Sequence, residues 1–204
     1  MNEAVKPRAA RTRATRRAII DAAAELFVAQ GYGATTLEQV AARAGVAVQT
    51  VYFHFGNKRT ILKEAVDVAA VGDDEPVAML DRPWSAQARA ETDPRRVIAL
   101  WTAYGRSVVS RVGPLMRVVR DAAVMEPEMA AQWAVNQEQT ATAFRALAEQ
   151  LDDLQALRVP VDEAVDILCA VSGLEVFLLL SARGWTPERW ERFVVDSLTH
   201  ALLS

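Results

Sequence analysis

Between Thr35 and Phe55 the chain carries two short runs of helical apolar spacing with only Gly45, Val46 and Ala47 between them, and few folds accommodate such a pair. The first run sets Leu37, Val40 and Ala41 on one side behind a Thr35-x-x-Glu38 box, in which hydroxyl and carboxylate can each satisfy a free backbone amide. It should end near Ala44. After Gly45, the residues Val48, Val51, Tyr52 and Phe55 resume the same periodicity. A longer helix precedes the pair from Thr15 to Gln30, with Ala18, Ile19, Ala22, Ala23, Leu26 and Phe27 inward and Gly31 as a left-handed stop. Gly56-Asn57 closes the third helix and caps a fourth from Lys58 to Val71, whose inward positions are Ile61, Leu62, Ala65, Val66 and Ala69. Two short helices joined by a tight glycine turn let the second enter the major groove of DNA while the first braces against the phosphate backbone.

Charge follows the same division. The chain has 204 residues and a formal net charge of -3, but residues 1–63 hold ten Lys/Arg against four Asp/Glu, a balance of +6. Residues 64–204 hold 13 against 22, a balance of -9. A basic N-terminal region meeting a polyanion explains that asymmetry, and the alternative is a solubilising tail. Residues 1–12 are expected to be a basic disordered arm, and Lys6, Arg8, Arg11, Arg13, Arg16 and Arg17 could run along phosphates or reach into the minor groove, the alternative being a solubilising tail.

In the second short helix, Ala47, Val48, Gln49 and Thr50 are small or hydrogen-bonding and can approach base edges, with Gln49 the best direct reader. The stretches Gly31-Tyr32-Gly33-Ala34-Thr35-Thr36-Leu37, Ala44-Gly45-Val46 and Thr50-Val51-Tyr52-Phe53-His54-Phe55-Gly56-Asn57-Lys58 resemble the TetR family of regulators across residues 13–63. That resemblance implies that Thr36, Tyr52, His54 and Lys58 touch phosphates while residues 47–50 face the groove. Lys58, at the start of the fourth helix, would share a phosphate with free backbone amides, and Tyr52 and His54 would donate to phosphate oxygens without reading sequence. Two positions depart from the family's common pattern. Ala47 replaces a capping serine or threonine, and Phe53 stands where a second tyrosine is common.

The remainder reads as helices punctuated by prolines, with Asp93-Pro94 and Thr186-Pro187 as N-cap and first-turn pairs. Val161 to Ala182 is apolar nearly all round. It contains Asp162, Glu163, Asp166 and Glu175, which argues against a bilayer span and for a helix buried on two sides, the second by another subunit. A homodimer interface is therefore expected at Leu168, Val171 and Leu174, joined by Phe193 and Leu198 of the last helix, as a four-helix bundle across a twofold axis. The segment Arg183-Gly184-Trp185-Thr186-Pro187-Glu188-Arg189-Trp190 also resembles the closing helices of actinobacterial-type members of that family, which implies the same dimer. Trp101, Tyr104, Met116, Arg120, Trp133, Gln137, Phe144 and Glu175 are the candidate lining of a pocket for a small apolar or amphipathic effector. The same residues also suit an ordinary core.

The expected architecture is thus all-α, a three-helix helix-turn-helix domain at 13–63 followed by a helical dimerisation and ligand-binding domain at 64–204. Catalysis has no footing, since the two histidines, His54 and His200, belong to no triad or metal spacing, and no cofactor or metal is implied. One cysteine, Cys169, excludes an internal disulfide and fits a cytoplasmic, membrane-free protein. The functional expectation is a regulator that binds double-stranded operator DNA as a homodimeric repressor. Alternatives are an activator or protein-controlled regulator lacking a pocket, and a small-molecule-binding protein or enzyme that retains a helix-turn-helix shape.

Overall fold

The computed structural model describes residues 6–72, 83–124 and 126–204. Among the described residues the regular elements are helices: α1 (Lys6–Ala34), α2 (Leu37–Ala44), α3 (Val48–Phe55), α4 (Lys58–Val71), α5 (Pro83–Ala90), α6 (Pro94–Ala123), α7 (Pro127–Asp153), α8 (Val161–Ser172), α9 (Leu174–Ala182) and α10 (Pro187–Leu202). The chain divides into two compact units, residues 1–69 with 114–133, and residues 70–113 with 134–204. A single boundary after residue 63 does not describe this division, because the end of α6 and the start of α7 return to the N-terminal unit.

In the first unit α1 begins at Lys6, so residues 6–12 are helical rather than a disordered arm, while residues 1–5 lie outside the described residues. The alanines and arginines there are strong helix formers, and Pro7 sits in the first turn, where its missing N–H costs no bond. Gly31 kinks α1 at φ 84°, ψ 167°, and one further turn carries the helix to Ala34. The capping box of α2 lies one residue later than Thr35-x-x-Glu38. Thr36 accepts from the Gln39 N–H at 3.3 Å, and Gln39 Oε1 accepts from the Thr36 N–H at 3.0 Å. Thr35 is instead buried and donates its hydroxyl to the Gly31 carbonyl at 2.8 Å. At the turn, Gly45 adopts φ 68°, ψ 33°, the left-handed conformation that costs a side chain, and its N–H reaches back to the carbonyls of α2. Ala41, Val51, Phe55, Ile61 and Leu62 are buried in this unit with Ile19, Ala23 and Phe27 of α1.

The second unit is built on α10, whose Trp190, Val194, Leu198 and Leu202 recur every four residues and are at most 1% exposed. They belong to one core with Val97 and Ile98 of α6, Leu147 and Leu151 of α7, Val165 and Leu168 of α8, and Phe177 of α9. Phe177 meets Trp190 edge to face, with ring centroids 5.4 Å apart. The chain end is tied in by bonds from Arg158 N–H to Leu202 and from Ser204 N–H to Ala156.

Two expectations need correction here. Val161–Ala182 is two helices, not one, because Gly173 takes an extended ψ of 154° and its N–H bonds the Cys169 carbonyl. A Cβ at Gly173 would collide with that carbonyl oxygen, so the break tolerates no side chain. Pro114, expected to punctuate, lies inside the 30-residue α6. Asp162, Glu163, Asp166 and Glu175 all face solvent.

Candidate nucleic-acid interface

The α2–turn–α3 unit presents one clear outer face. Val51 and Phe55 point inward, whereas Gln49 is exposed, Tyr52 is 50% exposed and Phe53 is 85% exposed. Positions 49 and 53 are one helical turn apart and position 52 lies beside them, so three side chains share a stripe. Ala47 begins α3 without a side-chain cap, and the Thr50 N–H uses the Ala47 carbonyl instead at 2.9 Å. Ala47 is exposed, while Val48 and Thr50 are half-buried at the edges of the stripe.

The back of α3 is pinned from α1. Arg16 donates to the His54 carbonyl at 3.0 Å, pairs with Glu64 of α4, and lies 4.5 Å from the centroid of the Phe55 ring. One guanidinium therefore joins three helices. A free carbonyl at the C-terminus of a helix is a natural acceptor for a cation, which also meets the negative end of the helix dipole.

Of the four residues expected at phosphates, Thr36 and Tyr52 are exposed and His54 is half-buried, its ring edge-on to Phe53 at 5.3 Å. Thr36 accepts a bond as the α2 cap, which leaves its hydroxyl proton available to an external oxygen. Lys58 is placed otherwise. Its ammonium donates to the carbonyls of Tyr32 at 2.8 Å and Thr35 at 3.3 Å, and stands 4.3 Å from the centroid of the Tyr32 ring. It closes the end of α1 rather than projecting to solvent. The carbonyls left by the kink at Gly31 supply the reason, since a helix end without partners is unfavourable. Asn57 caps α4 by accepting from the Thr60 N–H at 2.9 Å, and Arg59 pairs with Glu128 of α7 at 2.8 Å. Tyr32, stacked on Phe27, has its phenol pushed above the ordinary range by burial and then by the charge of Glu126.

The proposed pocket residues do not form one group. Met116, Arg120 and Trp133 belong to the first unit, and Trp101, Tyr104, Gln137, Phe144 and Glu175 to the second. Met116 is buried core, Arg120 pairs with its neighbour Asp121, and Gln137 and Glu175 are exposed. What the second unit does assemble is an aromatic cluster. Trp84 stacks on Tyr104 with centroids 3.8 Å apart and meets Trp101 edge-on at 5.2 Å, while Trp101 Nε1 donates to Gln150 at 3.3 Å. Trp84 Nε1 is buried without a hydrogen-bond partner among the described residues. Sequence reasoning missed Trp84, which stands just after a run without helical periodicity.

The interface residues also separate. Leu168 and Leu198 are at most 1% exposed within the chain and are unavailable to a second subunit. They face the core because α8 and α10 pack on one another. Val171 and Leu174 are half-buried, whereas Leu179 and Phe193 remain exposed, Phe193 edge-on to Trp185 at 5.6 Å. Cys169 is half-buried, and desolvation followed by Asp166 pushes its thiol upward, away from reactivity.

Three helices, a left-handed glycine turn and an outward second helix braced from behind define a helix-turn-helix protein. Residues 19–65 match the model of the TetR family of bacterial regulatory proteins, so the chain carries a TetR-type helix-turn-helix domain. It is 40% identical over 88 residues to the HTH-type transcriptional regulators TtgW and SrpR of Pseudomonas putida. That alignment covers 42% of this chain, 66% of TtgW and 41% of SrpR. Beyond this region the likeness is one of fold. NalD of Pseudomonas aeruginosa, described as the secondary repressor of the MexAB-OprM multidrug efflux pump, superposes with a TM-score of 0.64 at 24% identity over 93% of this chain and 95% of NalD. A transcriptional regulator from Saccharomonospora viridis, solved in complex with choline, reaches 0.70 at 17% identity over 93% of this chain and 97% of its own.

Proposed function

We propose that this protein is a cytoplasmic homodimeric repressor that holds a palindromic operator and is released from it by a small apolar or amphipathic effector. The observation that carries the reading is the stripe of Gln49, Tyr52 and Phe53 on a helix whose back is fixed by Arg16. A reading head must hold its side chains in register with base edges, and a recognition helix pinned at its far end does so. Gln49 reads a base, Thr36 and Tyr52 contact phosphates with His54 beside them, and Ala47, Val48 and Thr50 allow close approach. Lys58 acts chiefly by holding the end of α1, and any share it takes in phosphate binding requires it to leave those carbonyls.

A twofold dimer sets two such heads on half-sites a helical turn or a multiple apart. Its contacts fall on Val171, Leu174, Leu179 and Phe193, the incompletely buried apolar residues of α8 to α10. The effector binds beside Trp84, Trp101, Tyr104 and Phe144 in the second unit. The description of NalD as a repressor and the choline bound in the Saccharomonospora protein support repression and ligand control by analogy of fold. Release demands that the effector favour the arrangement unable to hold both half-sites, because equal affinity for both shifts nothing.

The test is selection of DNA from a random duplex pool, followed by binding isotherms across a salt series. A palindromic consensus and a steep fall in affinity with salt are expected, with Gln49→Ala relaxing preference at one position of each half-site. A flat salt dependence with no selected sequence overturns the reading. Phe193→Asp is expected to sediment as a monomer, and an unchanged profile would move the interface elsewhere.

A further inference from the structure

Phe53 is the most exposed large apolar side chain among the described residues, at 85%, and it sits on the recognition helix rather than on a hydrophobic patch of the second unit. Its aromatic neighbour His54 meets it only edge-on, at 5.3 Å. On α3 it follows Gln49 by four residues, which places the two side chains about 40° apart around the helix and one turn along it. Val51 and Phe55, on the inward face, are at most 5% exposed, so the orientation of α3 is settled by burial and Phe53 lies on the outer side with Gln49. A phenyl ring offers no hydrogen bond to a phosphate and no charge to its counterion atmosphere. In the major groove the one apolar feature of a base edge is the C5-methyl group of thymine.

We infer that Phe53 is a specificity-determining residue that packs its ring on a thymine methyl group next to the base read by Gln49. This rests on the DNA-binding reading above and assigns Phe53 a base where Tyr52 and Thr36 serve the backbone. The contact is apolar, so it releases no counterion and leaves the salt dependence of binding unchanged.

The experiment uses the full chain and the duplex selected from the random pool, with each thymine replaced in turn by deoxyuracil, which removes only the methyl group. For the unaltered protein, one replacement in each half-site is expected to weaken binding about fourfold per half-site, the factor that burying one methyl-sized group contributes. Phe53→Ala should bind thymine and uracil duplexes equally at that position and keep the salt slope. Phe53→Leu, which retains an apolar contact, should keep part of the discrimination. Because Phe53 is exposed, thermal melting of both variants should match the parent.

Equal binding of thymine and uracil duplexes by the unaltered protein overturns the inference while leaving the DNA reading intact. So does a uracil effect that survives in Phe53→Ala, or a Phe53→Ala variant whose loss appears only as a changed salt slope. Failure of the pool to yield any sequence overturns both readings together.

Discussion

The helix-turn-helix unit and the α8–α10 unit each close on an apolar core, but they differ in the polar contacts added to it. Around α3, besides the burial of Val51 and Phe55, the decisive contacts include polar ones, with Arg16 on the His54 carbonyl, Lys58 on the carbonyls ending α1, and Thr36 and Asn57 at helix starts. Around α10 they are apolar and many, centred on Trp190 with Phe177, Val194, Leu198 and Leu202. Directional bonds fix the angle of an element, whereas apolar burial supplies free energy with little preference for one arrangement over a near neighbour. On the function proposed above, a unit that presents Gln49 at a set distance from a base needs the first, and a unit that accommodates a partner and an effector is served by the second.

The contrast is open to direct attack. Trp190→Ala should produce the largest loss, about 3–5 kcal/mol, read from the denaturant midpoint, because a fully buried indole leaves a cavity. A loss under about 1 kcal/mol would mean that the core collapses around the hole and is not centred on Trp190. Lys58→Met keeps the aliphatic stem over Tyr32 but removes the bonds to the α1 carbonyls, and about 1.5 kcal/mol of stability is expected to go with them. Unchanged melting combined with a shallower salt dependence of DNA binding would return Lys58 to the phosphate. Thr36→Ala should cost the least, about 1 kcal/mol by loss of the α2 cap, with hydrogen exchange increasing first at the N–H groups of Gln39 and its neighbours. Uniform exchange across the unit would show that the cap is not a local pin.

Much of the first unit was legible because its signals are local. Gly45 and Asn57 each mark a helix end by their own conformational preference or side-chain bond, and α3 and α4 begin where those markers put them, as Asp93 and Thr186 do for α6 and α10 in the second unit. The α2 cap shows the limit of such reading. Thr35 with Glu38 and Thr36 with Gln39 both fit the capping-box pattern, and only the burial of Thr35 decides between them. The stretch from Val161 to Ala182 was not legible in the same way. When apolar residues surround a helix no periodicity distinguishes Leu168 in the core from Leu179 on the surface, and a lone glycine does not announce a break. Lys58 was misplaced for another reason. Nothing near it in sequence reveals the carbonyls of Tyr32 and Thr35, which the kink at Gly31 brings within reach.

The N-terminal unit takes residues from two separated parts of the chain, 1–69 and 114–133, and Arg59 of the one pairs with Glu128 of the other. Buried within the later part are Leu115, Met116 and Met129. During synthesis the ribosome must therefore deliver the whole of α5 and α6 before the DNA-facing unit can close. Until then its first segment waits with part of its interior missing. A fragment cut after residue 69 would keep the core around Ile19, Phe27, Val51 and Ile61 but lack Leu115, Met116 and Met129, so the reading head lifted out on its own is expected to be less stable than in the full chain.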